Sequence, residues 1–386
     1  MIYFDNSATT QLCAGAVNKM KEAMECYGNP SSLHSVGYRA SEILAEARSS
    51  VETSLGIRRG SGWKLIFTGS GTEANNLAIM GSVDAKERRT SNRIITTDSE
   101  HPSVSEPLAR LERSGFEIIK LSTHGGVIDM DEYREALGKG VFMVSVMMVN
   151  NETGAYYDVA NMFSLARRLC PDAILHCDAT QGYMKVNFNL MRLGADMVTV
   201  SAHKIHGPKG VGVLCVAPNI IKQKKLVPII RGGGQEDGFR SGTENMIGIA
   251  GFGGAASEMA DGRAEKIARI TSLRDYTEKL LENIPEIRIN RPAGARAPHI
   301  INLTLPSIKS ETMVHFLSSK GISVSGGSAC SSHNEKASAA LLGFGLPQKD
   351  AVCSLRISLC DTNTEAEADA LAAELEDGVK TLVRVK

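Results

Sequence analysis

The chain has 386 residues, more than a single hydrophobic core usually supports, which predicts two domains. Its 43 Lys and Arg balance 43 Asp and Glu, and no basic run or aromatic-interleaved patch draws it to nucleic acid or to lipid. No run of about 18 apolar residues is present to span a bilayer, and Met1-Ile2-Tyr3-Phe4-Asp5 lacks the charged start and apolar stretch of a signal peptide, so the expectation is a cytoplasmic protein that works on a small molecule.

From about residue 64 to 216, short apolar strands alternate with helical patterns. The strands are expected at 65–67, 94–97, 117–121, 141–149, 173–176, 197–200 and 212–216, and the helices at 72–86, 104–114, 130–137 and 159–169. This alternation predicts a mostly parallel sheet covered by helices, with ligands gathering beyond the carboxyl ends of its strands. After the glycine-rich run Arg231-Gly232-Gly233-Gly234-Gln235, one long helical stretch with small glycine interruptions is expected from about 243 to 283, connecting two lobes. A second α+β unit follows, with strands near 288–290, 300–305, 322–325 and 355–358 and helices near 311–320 and 364–383.

The eight cysteines, at 13, 26, 170, 177, 215, 330, 353 and 360, are scattered singly, with no Cys-x-x-Cys pair and no histidine spacing that suggests zinc. Reduced thiols and no metal centre are expected. Most lie in apolar contexts, where cysteine behaves as a small core residue. Cys330 differs, because it sits in the small, polar run Ser325-Gly326-Gly327-Ser328-Ala329-Cys330-Ser331-Ser332, which predicts a mobile loop.

Several strand ends carry groups suited to chemistry. Phe67-Thr68-Gly69-Ser70-Gly71-Thr72-Glu73 ends a strand and opens a helix, so its amides and hydroxyls suit either a phosphate at the helix N-terminus or a simple cap made by Ser70 or Thr72. It lacks the lysine of a nucleoside triphosphate loop, which points to a smaller phosphorylated ligand. His101 follows the strand at 94–97 and precedes Pro102, a residue suited to a first helical turn; its imidazole fits either an aromatic cofactor or a hydrogen-bonded loop. The amides of Asn150 and Asn151 suit a ligand or a turn. Asp178 ends the strand Ile174-Leu175-His176-Cys177, and Lys204 follows the apolar run 195–200 within Ser201-Ala202-His203-Lys204-Ile205-His206-Gly207. A lysine amine and a carboxylate so placed are the pair that pyridoxal phosphate (PLP) enzymes use, the lysine for a Schiff base and the carboxylate to keep the pyridine nitrogen protonated.

Taken in order, Asp5-Asn6-Ser7-Ala8-Thr9-Thr10, Gly28-Asn29-Pro30-Ser31-Ser32, Thr72-Glu73-Ala74-Asn75-Asn76, Glu100-His101, Asn150-Asn151-Glu152, Asp178-Ala179-Thr180-Gln181, Ser201-Ala202-His203-Lys204, Gly233-Gly234-Gln235-Glu236, Arg240-Ser241-Gly242-Thr243 and Gly327-Ser328-Ala329-Cys330 resemble the cysteine desulfurases of the nitrogen-fixation and iron-sulfur assembly type, within the class V aminotransferases. The match runs from residue 3 to about 360. The resemblance implies a PLP-dependent transferase of fold type I. It has a large PLP-binding domain with a mostly parallel seven-stranded sheet at 12–255, and a smaller α+β domain from 1–11 and 256–386.

By matching motif, the resemblance makes Lys204 the Schiff-base lysine, Asp178 the partner of the pyridine nitrogen and Gln181 that of the ring hydroxyl. His101 stacks on the ring and moves protons. Gly71, Thr72, Ser201 and His203 hold the phosphate, with Thr243 reaching in from the partner of a homodimer. Asn151 touches ring or substrate, and Arg356 binds the substrate carboxylate through its planar fork. Cys330, as thiolate, takes the sulfur of L-cysteine as a persulfide and passes it to an acceptor or scaffold protein for iron-sulfur cluster assembly or tRNA thiolation, leaving L-alanine. The chain departs from the family pattern at Gly69-Ser70-Gly71, at Met184 where glycine usually precedes Lys185, at His206 where tyrosine is common, and at Ala337 where proline is often found. Two alternatives remain at this point: a selenocysteine or other carbon-sulfur lyase of the same fold, and a PLP fold kept as a binding scaffold.

Overall fold

In the computed structural model, residues 1–85, 91–138, 140–326 and 337–384 are described. Thirteen strands occur among them: β1 (Ile2–Tyr3), β2 (Lys64–Thr68), β3 (Arg93–Thr97), β4 (Glu117–Leu121), β5 (Met143–Met147), β6 (Ile174–Asp178), β7 (Met197–Ser201), β8 (Gly212–Val216), β9 (Arg288–Ile289), β10 (Ile300–Thr304), β11 (Ile322–Ser323), β12 (Ser325–Gly326) and β13 (Ser354–Ser358). β2 to β8 form one seven-stranded sheet in the order β2-β8-β7-β6-β5-β3-β4. The pairs from β4 through β3, β5 and β6 to β7 are parallel, while β8 runs antiparallel to both β7 and β2. Every residue of β3, β5, β6, β7 and β8 is buried, which is why these segments are nearly continuous apolar runs: helices cover both faces of the sheet.

The antiparallel β8 brings Gly212 against the turn that ends β2. A Cβ built on Gly212 would lie 2.5 Å from the Ser70 carbonyl carbon, so only glycine lets this strand pass the start of the helix Gly71–Asp84.

The remaining strands belong to smaller sheets. β12-β13-β10-β9 is antiparallel throughout, and β1 pairs in parallel with β11. Phe4 shares a core with Leu303, Leu355, Ile357 and Leu371, so the first residues of the chain pack with the last hundred. Asp5 bridges to Ser358, and the segment from Asn6 to Gln11 then crosses to the large sheet.

The strand expected at 141–149 is shorter, because after Met147 the chain bends into a turn closed by Asn150, whose Oδ1 accepts from the amides of Glu152 and Thr153. The single helix expected over 243–283 is two, Met246–Ala260 and Arg263–Glu282, divided where Gly262 adopts φ +59°. Asn245 sets the start of the first by accepting from the Gly248 amide at 3.1 Å. The helices Ala14–Glu25 and Ser35–Ser54, which carry weaker periodicity and were not expected, pack on Met246–Ala260. Among the described residues no helix is long and apolar enough to cross a membrane.

Candidate active site

The carboxyl ends of β2, β3, β5, β6 and β7 open into a cavity of about 530 Å³. Ten of the twelve residues singled out from the sequence line it or are accounted for at its wall: Gly71, Thr72, His101, Asn151, Asp178, Gln181, Ser201, His203, Lys204 and Arg356. Cys330 lies outside the described residues. Thr243 is exposed and sits in a separate recess with Thr68, Gly210, Glu236 and Arg240; its expected role was assigned to a partner subunit.

Lys204 ends a single 3-10 turn that follows β7 directly. Its Nζ donates to the carbonyls of Ser7 at 2.5 Å and Ala8 at 2.8 Å. The N-terminal crossing segment therefore holds the amine at the cavity wall. Thr10 fixes the same loop from behind, donating through its backbone N and Oγ1 to the His203 carbonyl and accepting the His206 amide at 2.7 Å.

Asp178 is the last residue of β6 and is 6% exposed. One carboxylate oxygen accepts from Asn75 Nδ2 at 2.7 Å and the other from the Thr180 amide at 2.9 Å. Asn75 also donates to Ser103 Oγ at 2.9 Å. His101 caps the helix Pro102–Arg113, its Nδ1 accepting the Ser103 amide at 3.1 Å. Burial pushes its pKa down; the Asp178 charge opposes this, and Lys204 adds to it. An acceptor Nδ1 and a depressed pKa both make this ring neutral, with its proton on Nε2.

Beside them, the N-terminus of the helix Gly71–Asp84 faces Ser201. Ser70 caps it by accepting the Glu73 amide at 3.1 Å, and a Cβ on Gly71 would touch Ser201 Cβ and Thr180 Oγ1, each at 3.4 Å. The Ser201 hydroxyl is buried and has no partner among the described residues. Burial, reinforced by Lys204, lowers the pKa of His203 to about 3, so this ring too is neutral. Free helix amides, an unpartnered buried hydroxyl and an imidazole together make an anion cradle of phosphate type.

On the opposite side, Arg356 comes from β13 and is 2% exposed. It donates to Asp5 Oδ1 at 3.0 Å and to the Asn151 carbonyl at 2.9 Å, while its buried Nε has no partner among the described residues. Gln181 donates to the Ser7 carbonyl at 2.9 Å. Residues Ala337 to Ala340 complete the wall, where Ser338 donates to Glu152 Oε1 at 2.6 Å.

Several groups here escaped the sequence reading. Asn75 lies one helical turn beyond Thr72 in the same motif, and this spacing is the signal that would have found it. Glu100 is buried and pushed up to about 8 by loss of solvent, against hydrogen bonds from the Met147 amide and Thr97 Oγ1. Its carboxyl is therefore neutral at pH 7. Lys185 is also buried, and burial aided by Lys204 lowers its amine to about 7. Only the tertiary structure reveals the carbonyls of Ser7 and Ala8.

The class-V aminotransferase family model matches residues 2–371. A cysteine desulfurase of Sinorhizobium fredii is 36% identical over 99% of this chain and 97% of its own. The chain belongs to the cysteine desulfurases of the class-V aminotransferase family. Among solved structures, a NifS-like protein superposes on this family member with a TM-score of 0.90 and 31% identity, covering 99% of this chain and all of the other. SspA in complex with cysteine superposes with a TM-score of 0.78 and 29% identity, covering 94% of this chain and all of SspA. The large, mostly parallel sheet and its smaller companion are thus the family fold. Members of this family generally depend on PLP, and the unpartnered Ser201 hydroxyl at a helix N-terminus, with a lysine and a carboxylate at neighbouring strand ends, fits that cofactor.

Proposed function

We propose that the chain is a cytoplasmic, homodimeric, PLP-dependent cysteine desulfurase that converts L-cysteine to L-alanine and hands the sulfur from Cys330 to an acceptor protein for iron-sulfur cluster assembly or tRNA thiolation. The observation that carries this reading is the meeting of Lys204, Asp178 and Arg356 in one cavity. PLP bound there supplies an electron sink for the substrate carbon that bears the amine. Gly71, Thr72, Ser201 and His203 hold the phosphate, with Thr243 contributed by the partner subunit. Lys204 holds the aldehyde end, Gln181 the ring hydroxyl, and His101 one face of the ring.

Asp178 would pair with the pyridine nitrogen and keep it protonated, its carboxylate held in place by two donors, Asn75 and the Thr180 amide. Arg356 binds the substrate carboxylate. Two of its five N–H groups are engaged by Asp5 and Asn151, which leaves Nε–H and further Nη hydrogens for an incoming anion. The Lys204 amine would act as the base at the substrate carbon that bears the amine, its Nζ taking the proton from that carbon and returning one to it as alanine forms. Asn151 touches the ring or the substrate.

Cys330 acts as thiolate. It attacks the substrate sulfur, forming an S–S bond while the C–S bond breaks. The electron pair left on carbon takes a proton, giving the methyl group of alanine. Alanine release from cysteine and from selenocysteine, measured for the parent and for Cys330→Ala, tests this. Loss on cysteine with selenocysteine activity retained is expected. Equal activity of Cys330→Ala on both substrates would instead identify a lyase that needs no sulfur carrier.

A further inference from the structure

The loop that carries Lys204 runs two residues further to His206, a residue that stands where the family resemblance leads one to expect tyrosine. His206 is buried, and its backbone adopts φ +65°, a conformation that side chains other than glycine rarely take. The surrounding chain enforces it. The His206 amide donates to Thr10 Oγ1 at 2.7 Å, and its carbonyl accepts from the Cys13 amide at 3.0 Å. Nδ1 of the ring lies 2.9 Å from the Gln11 carbonyl. A carbonyl can only accept, so Nδ1 carries the ring proton and Nε2 keeps a free lone pair.

Two residues from the turn after β13 lie beside this ring. One ligand atom from each of His206, Cys360 and Asp361 lies within 4.8 Å of the other two. We propose that these three side chains bind a divalent cation of the zinc class, with a fourth position left for water. The sequence held no histidine-cysteine spacing to suggest this site, because His206 lies 154 residues before Cys360 and the two meet only in the fold (360 minus 206).

The donor set selects the metal. A nitrogen, a sulfur and a carboxylate oxygen suit tetrahedral Zn²⁺, whereas Mg²⁺ and Ca²⁺ require oxygen ligands throughout. Thiolate and carboxylate together balance the charge of a dication. The outer contacts match as well. Metal-bound histidines usually donate the other ring N–H to a carbonyl or carboxylate, which the Gln11 carbonyl provides here. The Thr362 hydroxyl lies 3.1 Å from Cys360 Sγ and can donate to it once the thiol ionises. A cation here would fasten the Lys204 loop, held to residues 10 and 11, to the turn after the strand of Arg356. It would thereby brace two of the groups that meet in the cavity.

The site does not depend on PLP or on turnover, and its test reads metal directly. The full chain carrying Cys330→Ala, which removes the thiol proposed to carry sulfur, is dialysed against Zn²⁺ and assayed for bound metal. It is then titrated with Co²⁺, a coloured substitute for Zn²⁺ whose visible d–d bands report tetrahedral coordination. About one metal ion per chain is expected, and Asp361→Asn and His206→Gln should each weaken binding at least tenfold, on the scale of losses caused by disturbing a metal shell. Circular dichroism confirms that each variant is folded, and Asp361, being half-buried in a turn, is replaced without opening the core. A parent protein that binds no metal would overturn the proposal, as would folded Asp361→Asn and His206→Gln variants that bind as tightly as the parent.

Discussion

Asn75 Nδ2 lies 2.7 Å from Asp178 Oδ2, joining the helix that forms the anion cradle to the carboxylate at the end of β6. The same amide reaches Ser103, whose hydroxyl and amide meet His101 Nδ1. One asparagine thus sets the positions of both groups proposed to face the cofactor ring. A hydrogen bond to a charged group contributes about 1.5–3 kcal/mol, so Asn75→Ala is expected to weaken PLP binding by roughly tenfold to a hundredfold while the chain remains folded. Equilibrium dialysis of the apo-protein against PLP measures this. Unchanged affinity would show that Asp178 does not need this partner.

Arg356 is held from both sides, by Asp5 and by the Asn151 carbonyl, in a fixed plane. Lysine carries the same charge but lacks the planar fork that donates two parallel hydrogen bonds to a carboxylate. Arg356→Lys is therefore expected to raise KM for cysteine at least tenfold with a smaller change in kcat, a split read from steady-state alanine release. A fall in kcat at constant KM would place Arg356 in the chemical step instead.

Glu100 links pH to stability. Its folded pKa of about 8 stands well above the ordinary carboxylate value of 4.5, because burial penalises the charged form. The folded state therefore keeps a proton that the unfolded chain releases, and the contribution of Glu100 to stability declines as pH rises from about 4.5 to 8. Glutamine holds the neutral shape at every pH. The stability of Glu100→Gln relative to the parent is expected to improve steadily across that window, as followed by urea unfolding at several pH values. A difference that stays flat with pH would mean that Glu100 is ionised in the native protein.

The large sheet was legible because its strands are buried on both faces, so β3, β5, β6 and β7 stand out as apolar runs regardless of register. The site residues were legible for a related reason: Asp178, Ser201 and Lys204 sit where such runs stop. Groups that depend on chain crossing were not. The Ser7 and Ala8 carbonyls reach Lys204 only because β1 pairs with β11, some 320 residues away, and no local pattern announces that pairing (322 minus 2). The helices Ala14–Glu25 and Ser35–Ser54 were missed because small residues such as Ala16, Ala40 and Ala47 line their buried faces, which leaves a faint apolar stripe. At Gly262 the sequence shows an interruption, but only the left-handed φ shows that the helix divides there.

The central claim is that Lys204 is the amine joined to the cofactor. Borohydride reduction of the PLP-loaded protein, followed by peptide mapping of the modified lysine, tests it most directly. The account predicts one modified residue, Lys204, with the visible absorption of the protein lost on reduction. Label on Lys185 or any other lysine in place of Lys204, or a protein that takes up no PLP, would contradict it.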